Sequence, residues 1–303
     1  MISIPAETSI GEVHLRVHNL GVVSDFYKDV IGFRELAAGM GETRLSANGA
    51  EPAQLVLLED RMALPRKGSA PGLFHTAFLL PSRKSLAMSL ERLIERKTRI
   101  HGFADHGVSE AIYLADPEGN GIELARDRPK KTWLNREGKT EMVTEPLDVA
   151  GLLREVGPRD SKSTELDPGT TIGHIHLQVS DLGAAETFYH NILGFDVTQR
   201  TYPGALFLSA GGYHHHLGLN TWNSRNAHPA SGTTGLASFR ICVPGHEALQ
   251  ALAKRFEDNQ YPAEQSDGNS FVVRDPDGIT IHLAAAQDNI MIAQSSHSQA
   301  VKP

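Results

Sequence analysis

Gly11-Glu12-Val13-His14-Leu15-Arg16-Val17-His18-Asn19-Leu20 is answered later in the chain by Gly173-His174-Ile175-His176-Leu177-Gln178-Val179-Ser180-Asp181-Leu182. The match continues outward. Phe26-Tyr27-Lys28-Asp29-Val30-Ile31-Gly32-Phe33 pairs with Phe188-Tyr189-His190-Asn191-Ile192-Leu193-Gly194-Phe195. Gly72-Leu73 and Leu79-Leu80-Pro81 then pair with Gly235-Leu236 and Cys242-Val243-Pro244, and Asp116-Pro117-Glu118-Gly119 with Asp275-Pro276-Asp277-Gly278. The offset is 162 residues at Gly11 and Gly173 and 163 at Pro81 and Pro244, so the chain is a duplication held nearly in register. Within each half the pattern runs twice through strand, helix and three strands. Val13, Leu15 and Val17 alternate as in a strand, and a helix opens near Asn19 and stops at Gly32. The second unit starts with a strand near Leu73, continues with a helix over 85–96, and closes on strands flanking the Asp-Pro-x-Gly turn at 116–119.

The expected fold is therefore α+β: four βαβββ modules forming two tandem domains over 9–127 and 169–286. Between them lies a polar connector, 128–168, punctuated by Pro129, Pro146, Pro158 and Pro168. Residues 287–303 form a polar tail expected to be disordered. A chain of 303 residues with 40% hydrophobic and 21% charged content has ordinary globular composition. No apolar run approaches the ~18 residues of a membrane span, and the N-terminus lacks the features of a signal peptide, so a cytoplasmic location is expected. The net charge of −7 and the absence of a long basic run argue against nucleic acid as a partner. One cysteine, Cys242, excludes an intramolecular disulfide and a cysteine-based zinc cluster, whereas 15 histidines could serve a metal through imidazole and carboxylate.

Four βαβββ units carrying Phe-Tyr and Gly-Phe around the end of the first helix resemble the vicinal oxygen chelate superfamily. That superfamily includes glyoxalase I, bleomycin-resistance proteins and extradiol ring-cleaving dioxygenases. The resemblance covers nearly the whole chain outside the connector and tail. It implies the fold and leaves the chemistry to individual residues.

Differences between the copies point to those residues. His75 in the second module is replaced by Ser238 in the fourth, and Glu123 by His282; His174 in the third module stands where the first has Glu12. The resemblance places these positions at the metal end of the first and last strands of each module. A ferrous site wants two neutral imidazoles and one carboxylate on one face. The second module supplies His75 and Glu123. His174 is expected as the third ligand, with His14 as the alternative, because Glu12 would give a poorer donor set. That choice requires the second module to pair with the third and the first with the fourth. His14 and His176 occupy equivalent places in both copies, which reads as scaffold.

The stretch from His106 through Tyr113 to Glu123 is similar to the extradiol dioxygenase signature, with Tyr113 ten residues before the glutamate. It departs from that pattern at Ala104, where the family has Gly, Asn, Thr, Ile or Val. Tyr213-His214-His215-His216-Leu217-Gly218-Leu219 is read as the last strand of the third module. Setting Gly218 on the alanine of the family's His-x-x-Ala selects His215, with His214 and His216 as alternatives. The resemblance implies an extradiol enzyme of the two-domain catechol-cleaving type. It would bind Fe(II), with Mn(II) not excluded, and act on a small aromatic diol with O2 to give a 2-hydroxymuconic semialdehyde. His215 would be its acid/base, Tyr113 would bond the metal-held substrate oxygen, and His106 would contact substrate. Assembly into a homo-oligomer is left open. Rival readings are a glyoxalase-like isomerase, a thiol transferase, or a metal-free protein that binds an aromatic compound.

Overall fold

The computed structural model describes residues 3–136, 139–157, 163–267 and 269–286; the tail expected over 287–303 lies outside the described residues. The first module comprises β1 (Ser9–Val17), α1 (Leu20–Asp25), β2 (Arg34–Gly39), β3 (Glu42–Ser46) and β4 (Leu55–Glu59). The second comprises β5 (Gly72–Leu79), α2 (Arg83–Glu95), β6 (Ile100–Asp105), β7 (Ser109–Ala115) and β8 (Gly121–Asp127). The connector carries the two-residue strands β9 (Asn135–Arg136) and β10 (Lys139–Thr140) and the helix α3 (Val149–Leu153), which packs on α2. The third module is β11 (Thr171–Gln178), α4 (Leu182–Glu186), β12 (Asp196–Gln199), β13 (Ala205–Ser209) and β14 (Leu217–Asn220). The fourth is β15 (Gly235–Val243), α5 (Gly245–Asp258), β16 (Glu264–Asp267), β17 (Ser270–Arg274) and β18 (Thr280–Ala285).

Short polar residues open three of the helices, Asn19 as the sequence indicates. Asn19 accepts from Val22 N at 3.1 Å, Ser82 from Ser85 N at 3.0 Å and Asp181 from Ala184 N at 2.7 Å. Ser82 starts its helix two residues before the expected 85. The first helix is not one uniform α-helix: after Asp25 it widens into a π-helical turn, Phe26–Ile31, and the duplicate does the same over Thr187–Ile192. Gly32 ends it at φ +98, and a β-carbon there would meet Leu166 N at 2.7 Å, so glycine is required.

Two of the repeated motifs are partners. The buried Tyr27 turns its hydroxyl toward Asp116 Oδ2 at 3.5 Å, and Tyr189 donates to Asp275 Oδ2 at 3.0 Å. The Phe-Tyr dipeptide of one module thus reaches the Asp-Pro turn of the next. Around these ties the apolar faces of the sheets and helices close the core, with Phe33 edge-on to Phe78 at 4.9 Å.

The modules pair across the duplication. One eight-stranded sheet has the order β16-β17-β18-β15-β1-β4-β3-β2 and so joins the first and fourth modules. The other, β12-β13-β14-β11-β5-β8-β7-β6, joins the third and second. At each seam the first strands of the two modules run antiparallel, β1 with β15 and β11 with β5. The sheets approach one another through β1 with β11 and β5 with β15. No helix among the described residues is long and apolar enough to cross a membrane.

Candidate metal centre

The seam between β11 and β5 sets His176 opposite His75 and His174 opposite Ala77, with register shifts on either side of this stretch. Next to β5 runs β8, where Glu123 pairs with Ala77 and, on its other side, with Tyr113 of β7. Three strands thereby deliver His75, His174 and Glu123 to one point. His75 Nε2 lies 3.2 Å from His174 Nε2, and Glu123 Oε2 lies 3.0 Å from the first and 3.1 Å from the second. Their exposures are 6%, 4% and 2%.

That nearly equilateral triangle is a test of fit. Three donors ~2.1 Å from one divalent ion and at right angles to each other would stand ~3.0 Å apart. Hydrogen bonding alone accounts for the arrangement poorly, because two imidazole nitrogens converge on a single carboxylate oxygen and on each other. Burial pushes the Glu123 carboxyl up, but His174 and His75 outweigh it and hold it well below the usual carboxylate range. Burial lowers His75 against the pull of Glu123. Two neutral imidazoles and one carboxylate suit a divalent transition metal, and among the described residues this is the one group of three such ligands brought together. His14, the alternative ligand, lies in the other sheet.

The triad borders a cavity of about 650 Å3. Phe74, Phe207, Tyr202 and Trp222 line part of it, with the Phe74 and Trp222 rings 5.4 Å apart. Met142, Val143 and Thr144 of the connector form another part of the wall. An apolar cleft with a few convergent polar groups is the usual form of a small-molecule site. His106 and Tyr113 face it together: His106 donates from Nδ1 to Val143 O at 2.8 Å, leaving Nε2 to accept the Tyr113 hydroxyl at 2.7 Å. Burial, with Glu123 adding to it, pushes the Tyr113 phenol well above its usual range, so it stays neutral.

The histidine triplet corrects the sequence reading in one respect. It lies in the turn before β14, which begins only at Leu217. His215 lines the cavity, its ring centroid 4.1 Å from that of His174. Burial lowers it well below the usual imidazole range, with the neighbouring histidines adding. His214 instead bonds Asp127, and His216 accepts Ala210 N at 3.1 Å.

His176 was read as scaffold, yet it is buried, lines the cavity and stands with its ring 4.9 Å from that of His75. Its Nε2 accepts from Asn220 Nδ2 at 3.0 Å. The signal was present: two-residue alternation from His174 puts it on the same strand face. Arg66 and Gln178, which also line the cavity, carried no comparable signal.

The other sheet shows what the duplicate became. Glu12, where the third module has His174, receives Arg44 Nη2 at 3.0 Å and Arg240 Nη2 at 2.9 Å. His14 stands 3.8 Å from Glu12 and stacks on His282 with ring centroids 6.2 Å apart. Two guanidinium groups hold this carboxylate.

A duplicated βαβββ framework with a His-His-Glu cluster at a module seam is the layout of a metal-dependent vicinal oxygen chelate protein. The chain belongs to the Glyoxalase/Bleomycin resistance protein/Dioxygenase superfamily, which it matches over residues 9–124 and 171–283. It is 46% identical over 283 residues to the catechol-2,3-dioxygenase of Bacillus subtilis (strain 168), covering 91% of this chain and 96% of that protein. Among solved structures it is similar in fold to glyoxalase I from Zea mays, with a TM-score of 0.55 at 14% identity over 96% of this chain and 97% of that one. The cppA protein from Streptococcus pneumoniae TIGR4 gives a TM-score of 0.53 at 14% identity, covering 92% of this chain and all of that one.

Proposed function

We propose that this protein is an extradiol dioxygenase that cleaves catechol or a substituted catechol beside the diol, with His75, His174 and Glu123 holding Fe(II) or, alternatively, Mn(II). The observation that carries the reading is the facial geometry of the buried triad, opening into an aromatic-walled cavity. The 46% identity to a catechol-2,3-dioxygenase supports it.

In this reading the substrate ring lies against Phe74, Phe207 and Trp222, which exclude water from around it. The neutral His215 takes a proton from one diol hydroxyl as the substrate binds, and later returns it as the product forms. Tyr113, with its own proton directed to His106, accepts a hydrogen bond from the adjacent substrate hydroxyl. His106 is locked by Val143 with Nε2 facing the phenol, so it fixes the direction of that hydroxyl. A metal held by His75, His174 and Glu123 would supply Lewis acidity and a path for electron transfer. Both atoms of O2 enter the product, a 2-hydroxymuconic semialdehyde when catechol is the substrate.

The test is oxygen uptake with catechol after anaerobic loading with Fe(II), following the yellow ring-cleavage product. Equimolar O2 consumption with the appearance of that product is the expected result. Thiol-dependent isomerisation without oxygen uptake would refute it in favour of a glyoxalase-like enzyme.

A further inference from the structure

His214 does not face the cavity, yet it is tied to the residue that does. Its Nε2 lies 3.0 Å from Oδ1 of Asp127, the last residue of β8, and its Nδ1 lies 2.8 Å from Nδ1 of His215. This row of three groups crosses from the second module to the third, beside the seam that assembles the metal ligands. The His214 ring is buried between Tyr213, with centroids 4.0 Å apart, and Trp133, which meets it edge-on at 5.4 Å.

With a single proton on the His214 ring, the remaining protons in such a row follow from donor and acceptor roles. A carboxylate accepts and cannot donate, so the hydrogen between His214 and Asp127 belongs to His214 Nε2. A neutral His214 then has only a lone pair at Nδ1. The short contact between the two Nδ1 atoms needs one donor, and His215 must supply it. With its Nδ1 protonated, His215 keeps an unprotonated Nε2. The two nitrogens point in roughly opposite directions around the ring, so Nε2 is turned away from His214 and belongs to the side that borders the cavity.

We propose that Asp127 and His214 are positioning residues that hold His215 in its Nδ1–H tautomer, so that the Nε2 lone pair is presented to the substrate hydroxyl. This rests on the assignment of His215 as the acid/base above. Neither residue touches substrate. A neutral His215 in the other tautomer would present an N–H there, and could not accept the proton. The same row also keeps the ring from rotating, since a flip would break the bond to His214.

Long-range proton–nitrogen spectra of the metal-free protein, labelled with 15N-histidine, read the tautomers directly. The expected parent has hydrogen on Nε2 of His214 and Nδ1 of His215, and Asp127→Ala is expected to abolish the single tautomer of His215. Hydrogen on Nε2 of His215 in the parent, or an unchanged pattern in Asp127→Ala, would overturn the proposal. If Asp127→Ala does not fold, His214→Phe keeps the ring volume against Trp133 while removing both nitrogens, and the same shift is expected at His215.

In the iron-loaded enzyme, Asp127→Ala is expected to lower kcat roughly ten- to a hundredfold, as loss of an orienting partner commonly does, with KM and iron content unchanged. In a His215→Asn background the same substitution is expected to cost nothing further. An equal loss in both backgrounds would overturn the positioning role. A His215→Asn enzyme with parental turnover would overturn the acid/base assignment, whereas the spectrum decides the tautomer independently of it.

Discussion

Gly218 offers a quantitative test of how tightly the site is packed. It pairs with His176 across the parallel strands β11 and β14, and a β-carbon at that position would lie 2.8 Å from His176 Cγ and 2.9 Å from Nδ1. The imidazole has little room to retreat. It is 4% exposed, bonded to Asn220, and faced by Phe74 and His75 at centroid distances of 5.0 Å and 4.9 Å. If the ring moves far enough to break the bond to Asn220, two buried polar groups lose a partner at a cost of ~1–3 kcal/mol. If the strands move instead, overpacking costs a similar ~1–3 kcal/mol. Gly218→Ala is therefore expected to destabilise by about 2–4 kcal/mol when part of each occurs. Urea unfolding measures this as a lower midpoint with an unchanged slope. Against a His176→Ala background the clash is absent, and the cost should fall below ~1 kcal/mol. Gly39→Ala is the control: no atom lies within 4 Å of its β-carbon on the exposed β2, so stability should change by less than ~1 kcal/mol. A Gly218→Ala protein as stable as the parent, or equally weakened with and without His176, would refute the reasoning.

On the proposed ferrous site, Glu123→Gln should lose most of the iron loaded into the protein, because it removes the one anionic donor of the triad, while Glu118→Gln should retain it; metal analysis after gel filtration separates them. The Glu118 carboxylate accepts the backbone amides of His18 and Asn19 instead, at 2.8 and 2.7 Å. His174→Ala is expected to lose iron and His14→Ala to keep it, and the reverse would return the third ligand to the other sheet. Tyr113→Phe should keep iron and lose about tenfold in turnover, the worth of one hydrogen bond in the transition state. Cys242 is buried and its thiol is pushed up to about 11, chiefly by burial, so a thiol reagent should leave the native protein unlabelled and modify it once urea unfolds it.

The repeat was legible because the residues that make the framework recur. Tyr27 and Tyr189 each reach an Asp-Pro turn, Asn19 and Asp181 each cap a helix, and such roles tolerate few substitutes. The triad was legible for the opposite reason: His75, Glu123 and His174 lack counterparts in the other copy. That logic did not single out His176, which lines the cavity. The shared His14 suggested a common task, but the two have different surroundings: His14 lies opposite Val56 of β4, whereas His176 lies opposite the bare Gly218 and is bonded by Asn220. Partners on other strands decide the matter, and sequence spacing does not reveal them. The place of the triplet was misread because Tyr213-His214-His215-His216 looks strand-like locally. Its backbone follows the turn that brings His214 to Asp127, 87 residues away in sequence. The pairing of modules was inferred from chemistry, since at the position matched between the copies the third module offers His174 where the first offers Glu12, with His14 as the alternative.

Pairing across the duplication also imposes an order on biosynthesis. β1 leaves the ribosome early, but its neighbour β15 ends at Val243 and comes from the last quarter of the chain. At ~5–20 residues per second, the wait between the two is roughly 10–50 s. Throughout that interval one side of β1 remains an open strand edge, the kind that recruits foreign strands. The second module is held up for less time, because β11 follows β5 by about a hundred residues and so arrives within roughly 5–20 s. The sheet that carries the candidate triad can therefore close first, while the sheet that carries Glu12 and its two arginines must wait for β15. A nascent chain stalled between residues 180 and 235 would already possess His75, Glu123 and His174 and still expose an unfinished edge, making this the stage at which a chaperone has most to protect.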